Sequence, residues 1–219
     1  MDKVLITGGT GFVAYWMNKT RPENMFVVYL HHEDYDRSLW QHTQWDYVVH
    51  LAPVSPFAVV SQAAKDNARL LYCSSGIVYH PEANTEYRRN KLNWEQYCLD
   101  SGVDVVVARL FTFFGEGLDE GKAIVQFEKR AAEHKPLRIW GDGSCVRSHM
   151  HGSEMGKWLW AILLKGKSGE AYDVGSDEPV TMLELAKRYS DNIVIEGGKD
   201  IMPYYMPPNT AKTKALLND

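Results

Sequence analysis

Short apolar runs, largely β-branched, recur through the first half of the chain: Val4–Thr7, Met25–Leu30, Tyr47–Leu51, Leu70–Ser74 and Val103–Leu110. Each is nearly continuous rather than alternating, the pattern of a strand covered on both faces in a parallel sheet. Between them the spacing predicts helices from Phe12 to about Thr20, from Phe57 to about Arg69, and from Tyr87 to Asp100, the last stopped by Ser101-Gly102. Strand and helix alternate, which defines an α/β class with a doubly wound, Rossmann-like parallel sheet.

After Leu110 the rhythm loosens. Gly115, Gly117 and Gly121 open an irregular stretch, followed by a predicted helix over Ala123–His134 and by Ile139-Trp140 ahead of the turn Gly141-Asp142-Gly143. A helix over Glu154–Leu164 is expected to be capped by Ser153, Ala171–Val174 reads as a strand, and Thr181–Tyr189 as a helix with Thr181 and Glu184 in capping-box spacing. The prolines from Met202-Pro203 to Pro207-Pro208 predict irregular chain. Trp140, Trp158 and Trp160 are expected in the core rather than at a binding surface.

The 219 residues are 45% hydrophobic and 24% charged, an ordinary globular balance. A net charge of −4 gives no electrostatic reason to expect nucleic acid as a partner. Cys73, Cys98 and Cys145 form no CxxC pair, as expected of a cytoplasmic protein. The longest apolar run, Leu159–Leu164, is far short of the ~20 residues of a membrane span, so no membrane is expected as a partner.

Strand, glycine turn and helix follow one another in Lys3-Val-Leu-Ile-Thr-Gly-Gly-Thr-Gly-Phe-Val-Ala14. Both Gly9-x-Gly11-x-x-Ala14 and Gly8-x-x-Gly11-x-x-Ala14 fit dinucleotide-binding spacings, in which glycines let the backbone approach a pyrophosphate and the helix N-terminus faces the anion. The acidic ribose ligand expected ~20 residues on is replaced by His31, with His32, Glu33 and Asp34 after it. NAD and NADP therefore both remain open. No Cys or third His is spaced to make the His pair a metal site.

Tyr87-Arg-Arg-Asn-Lys91 sets a phenol and an ammonium four apart, hence on one helix face. A free phenol, with its pKa near 10, is a poor base at neutral pH, and a neighbouring cation favours its ionised form. Such a pair can exchange a proton with a substrate hydroxyl. Upstream, Tyr72-Cys-Ser-Ser-Gly-Ile-Val-Tyr79 ends a buried strand at the edge where α/β sheets bind ligands, and Ser75 is suited to donate to the same oxygen. No GxSxG nucleophile elbow is present there.

Taken in order, these segments resemble the extended short-chain dehydrogenase/reductase family of NAD-dependent nucleotide-sugar epimerases and dehydratases. The resemblance runs through Ile6-Thr-Gly-Gly-Thr-Gly-Phe-Val13, His50-Leu-Ala52, Ser74–Tyr79, Tyr87-x-x-x-Lys91, Arg109-Leu-Phe-Thr-Phe-Phe-Gly115, Ile139–Arg147, Tyr172-Asp-Val-Gly-Ser176 and the tail Asn209–Leu217. It implies Ser75, Tyr87 and Lys91 as catalytic residues, with Lys91 also on the nicotinamide ribose. Gly8, Gly11, Phe12, Val13, Ala14, His31, Leu51 and Ala52 would line the NAD or NADP site, and Ser75, Thr112 and Arg147 the substrate site, with the Arg147 guanidinium on a diphosphate. The division expected is a dinucleotide-binding core over 1–112, joined again by 149–175, and a small interwoven substrate lobe from 113–148 and 176–219. A nucleotide-diphosphate sugar is the expected substrate, and a homodimer through the helices at Phe57–Arg69 and Tyr87–Leu99 the expected assembly.

The chain also departs from the family. It is short, and only ~15 residues separate His31 from Asp46, as if a strand and helix were lost. Thr112 stands where an Asn is common, and Ser148 and Gly152 replace the Asp and Val of an Arg-Asp-x-x-x-Val pattern. Gly76 and Ile77 occupy the positions where sugar dehydratases of the family carry an acidic residue. Gly76 and Ile77 argue against dehydration, and Ser74-Ser-x-x-Val-Tyr79 resembles the 4-epimerase branch; the shortened adenine side suits the alternative, a 4-ketoreductase, and the rival of another class, a non-catalytic NAD(P)-binding protein.

Overall fold

The computed structural model describes residues 1–31, 38–198 and 202–218, with the side chains of residues 38 and 39 left aside. The first half forms β1 (Asp2–Thr7), α1 (Phe12–Lys19), β2 (Met25–Leu30), β3 (Tyr47–His50), α2 (Phe57–Asp66), β4 (Arg69–Ser75), α3 (Glu86–Leu99) and β5 (Val105–Leu110). The second half forms β6 (Phe113–Phe114), α4 (Ala123–Ala132), β7 (Leu137–Ile139), β8 (Val146–Arg147), β9 (Met150–His151), α5 (Gly152–Lys165), β10 (Ala171–Val174), β11 (Val180–Thr181), α6 (Met182–Lys187), β12 (Ile193–Ile195), β13 (Tyr204–Tyr205) and α7 (Ala211–Asn218).

Six strands make one all-parallel sheet in the order β10-β5-β4-β3-β1-β2. Successive residues serve opposite faces, which explains the unbroken apolar runs. Val4, Ile6, Leu71, Val106 and Ala108 pack with Met17, Trp158 and Leu159 on the side of α1 and α5. Leu5, Leu70, Val105 and Val107 pack with Val59, Ala63 and Cys98 on the side of α2 and α3. Each fully buried aliphatic side chain contributes about 1.5–3 kcal/mol, so the two layers hold the sheet rigidly under whatever sits at its carboxyl edge. Beyond β2, where a full dinucleotide fold carries a further strand, no strand follows among the described residues.

Several boundaries differ from the sequence expectation. Helix α2 stops at Asp66 because Asn67 adopts a left-handed conformation (φ 53°), freeing the chain to enter β4 at Arg69. Helix α5 is capped by His151 rather than Ser153: the imidazole accepts from the Ser153 N–H. The Thr181/Glu184 capping box forms as expected at α6. Trp158 and Trp160 are core residues, but Trp140 is 68% exposed, because the Gly141–Gly143 turn carries it out to solvent. The proline-bracketed tail is not wholly irregular, since β13 pairs in parallel with β8. Among the described residues, no helix is long and apolar enough to cross a membrane.

Candidate active site

The glycine turn sits at the carboxyl end of β1. Gly8 has φ +74°, and a Cβ there would lie 2.9 Å from the Ala52 nitrogen, so Leu51-Ala52 packs directly on the turn. A Cβ at Gly9 would meet the Tyr29 Cβ at 2.7 Å. Gly11 is different: its Cβ would meet only the Gly8 carbonyl, at 3.4 Å. Internal packing therefore does not demand glycine at 11, whereas a ligand approaching that backbone would. Gly11 caps α1 without a side-chain bond, and no acid occupies the first turn, so the helix's N–H groups and positive dipole end are left for an anion. Phe12 lines the neighbouring cleft, Val13 is half-buried against the core, and Ala14 is buried within it. His31, just past β2, has a buried Nδ1 with no hydrogen-bond partner among the described residues. His32, Glu33 and Asp34 lie outside the described residues. Together these features fit a dinucleotide.

Ser75 ends β4, and its Oγ accepts from the Ile77 N–H at 3.3 Å at the start of a 3₁₀ turn over Gly76–Tyr79. Tyr87 lies in the first turn of α3, which Thr85 caps by accepting from the Arg88 N–H. One turn further, Lys91 is 5% exposed and donates to the Cys73 carbonyl at 2.8 Å, with its Nζ 5.9 Å from the centre of the Tyr87 ring. Burial pushes the Lys91 pKa below the ordinary lysine value. Ser75 and Tyr87 open onto one cleft of about 790 Å³, and Lys91 lies beneath them. Further along α3, the buried Glu95 pairs with Arg109, whose guanidinium also donates to the Tyr79 hydroxyl; that hydroxyl donates to Asp173 at 3.0 Å. This network ties α3 to β5 and β10.

Thr112 and Arg147 line the same cleft. The Arg147 Nη1 donates to the carbonyls of Val146 (2.9 Å) and Met202 (2.8 Å). Lys122, Arg130 and Arg138 also border the cleft, and no Asp or Glu does so among the described residues. Arg138 is ion-paired with Glu196. His149, another lining residue, is held neutral: burial, then the charges of Arg147 and Arg188, lower its pKa to about 4. A side chain at position 76 has no room, because a Cβ there would fall 2.3–2.6 Å from three atoms of the Phe111 ring.

Sequence reasoning missed the cationic border of Lys122, Arg130 and Arg138, the neutral His149, and two aromatic contributors to this cleft. Phe111 carries no chemical signal beyond its apolarity. Tyr205 sits in a tail expected to be irregular, yet its hydroxyl lies 3.3 Å from the Ser75 Oγ.

These features define the class: a parallel dinucleotide-type sheet with a Ser/Tyr/Lys cluster at its carboxyl edge. The model of the NAD dependent epimerase/dehydratase family matches residues 53–175, and the chain belongs to that family. UDP-glucuronic acid decarboxylase 2 of Arabidopsis thaliana is 26% identical over 193 residues, covering 75% of this chain and 43% of that protein. A probable dTDP-glucose 4,6-dehydratase of Sinorhizobium fredii is 24% identical, covering 80% and 43%. The chain thus spans less than half the length of these curated relatives. Among solved structures, dTDP-glucose 4,6-dehydratase from Bacillus anthracis in complex with NAD superposes with a TM-score of 0.85 at 19% identity, over 100% of this chain and 91% of that one. UDP-N-acetylglucosamine 4-epimerase from Bacillus cereus gives 0.81 at 18%, over 100% and 91%. At these identities the likeness is one of fold.

Proposed function

We propose that the protein is an NAD(P)-dependent nucleotide-sugar 4-epimerase. The observation that carries this reading is the cleft: Ser75 and Tyr87 open onto it, Lys91 lies beneath, Lys122, Arg130 and Arg147 border it together with Arg138, whose charge Glu196 offsets, and no carboxylate lines it among the described residues. Cations without carboxylates suit a diphosphate. They do not suit dehydration, which asks for an extra acid beside the reacting carbon, and Phe111 fills the space where position 76 would supply one.

Gly8, Gly11, Phe12 and Val13 would hold the dinucleotide pyrophosphate at the α1 N-terminus, Leu51-Ala52 and His31 its adenosine side, and Lys91 its nicotinamide ribose, with Ala14 packing α1 on the sheet beneath. When bound, the nicotinamide ring supplies a hydride acceptor and donor, which interconverts the sugar's carbinol and ketone. Tyr87 takes the proton from the reacting hydroxyl and returns it to the ketone oxygen, with the Lys91 charge beside the phenol. Ser75 donates to that same oxygen, Thr112 borders the sugar, and Arg147 holds the diphosphate. In this scheme residues 1–112 and 149–175 serve the dinucleotide, and 113–148 and 176–219 the substrate. The relatives named for UDP- and dTDP-sugars support a pyrimidine nucleotide. A 4-ketoreductase is the second reading, favoured because no strand follows beyond β2 among the described residues, since a reductase must release its dinucleotide each cycle.

The test begins with purified protein, examined by absorbance and mass spectrometry for bound nicotinamide, then offered a panel of UDP- and dTDP-sugars with and without added NADH or NADPH. Interconversion of C4 epimers without added reductant is expected. Consumption of reduced dinucleotide with a 4-keto substrate would instead establish the reductase, and bound dinucleotide without turnover of any sugar would leave a non-catalytic NAD(P)-binding protein.

A further inference from the structure

The phenol hydrogen-bonded to Ser75, among the described residues, belongs to Tyr205 and not to Tyr87. Tyr205 reaches the site from β13, whose register against β8 sets it beside Arg147. Its ring lies 5.2 Å from the rings of His80 and Phe111, and the Arg147 guanidinium stands 5.9 Å from its centre. The phenol oxygen therefore stands at hydrogen-bond distance from the Ser75 hydroxyl, where a substrate oxygen would meet that serine. Ser75 has a single O–H, and its Oγ already accepts from Ile77.

We infer that the Tyr205 hydroxyl holds the substrate-oxygen position at Ser75, so that a sugar must displace it to react. The inference rests on the proposed nucleotide-sugar reading. It explains how sugar binding and diphosphate binding can be linked in this cleft. Arg147 donates to the Met202 carbonyl, three residues before Tyr205 on the same segment, so a diphosphate that draws Arg147 away loosens the strand carrying the phenol. A sugar without a diphosphate has no such lever and meets the phenol in place.

The test is calorimetric titration of wild type and Tyr205→Phe with UDP-glucuronic acid, UDP-glucose and dTDP-glucose, and with UDP alone. Phenylalanine keeps the ring contacts and removes only the oxygen. Tyr205→Phe is expected to bind the nucleotide sugars roughly three- to tenfold more tightly, the scale of one hydrogen bond no longer to be broken. UDP, which does not reach Ser75, is expected to bind the two proteins equally. In a Ser75→Ala background the gain should vanish, because the competed bond is already gone. Nucleotide sugars bound by both proteins with equal affinity, or more weakly by the variant, would overturn the role of Tyr205 and leave the proposed function standing, as would an equal gain for UDP. A wild type and a variant that both bind UDP but no sugar nucleotide, or that bind neither, would overturn both.

Discussion

Gly76 shows how one contact sets the chemistry available to a site. Three atoms of the Phe111 ring occupy the volume of its missing Cβ. Gly76→Asp is therefore expected to cost about 1–3 kcal/mol through overpacking, measured by urea denaturation, and Phe111→Ala in the same chain should relieve that strain. Tyr87→Phe should lower kcat roughly 10²–10⁴-fold on whichever sugar nucleotide proves active, with an unchanged circular dichroism spectrum. His50 offers a pH prediction. It is fully buried, bonded to Thr7 Oγ1 at 2.8 Å and to the Val54 carbonyl at 3.0 Å, and burial, aided by the Lys91 charge, lowers its pKa to about 4. Above about pH 6.5 neither the folded nor the unfolded chain protonates it. As pH falls toward 4 the unfolded chain takes the proton first, so about 3 kcal/mol of stability is lost across that window. His50→Asn should show a flatter stability profile there, and an unchanged slope would remove His50 as its cause. At this scale Tyr87 and Lys91 were legible because four-residue spacing on a helix is local. Tyr205 and Phe111 were not, because their places depend on pairings across the fold: Tyr205 meets a residue 130 positions away.

Among the elements, the crossing of α1 and α5 carries the tightest packing. A Cβ at Gly156 would lie 2.4 Å from the Thr20 Oγ1 and 2.7 Å from the Trp16 carbonyl oxygen, which as backbone cannot swing aside. Gly152 likewise lies against the Trp16 indole, which explains why glycine stands where the family pattern has Val. Gly156→Ala is expected to cost about 1–3 kcal/mol and lower Tm by several degrees, as followed by calorimetry. The sheet strands were legible as unbroken apolar runs because both faces are covered. Helix ends were less so, since an imidazole cap at His151 and a left-handed Asn67 leave weak traces in a sequence. The two-residue strand β13 left none, because its partner β8 is remote along the chain.

For the whole molecule, α2 and α3 set two aromatic side chains on one outer face: Phe57, 55% exposed, lies with its ring 4.4 Å from that of Tyr97, 38% exposed. We propose that this face forms the homodimer, and Phe57→Glu with Tyr97→Glu should yield monomers in sedimentation, whereas an unchanged mass would place the contact elsewhere. The cationic border of the cleft has another effect. Lys122, Arg130 and Arg147 attract any compact polyanion, whatever sugar it carries. The product nucleotide sugar should therefore linger and slow the next turnover. Raising ionic strength should weaken that product inhibition together with substrate capture, leaving an optimum at intermediate salt.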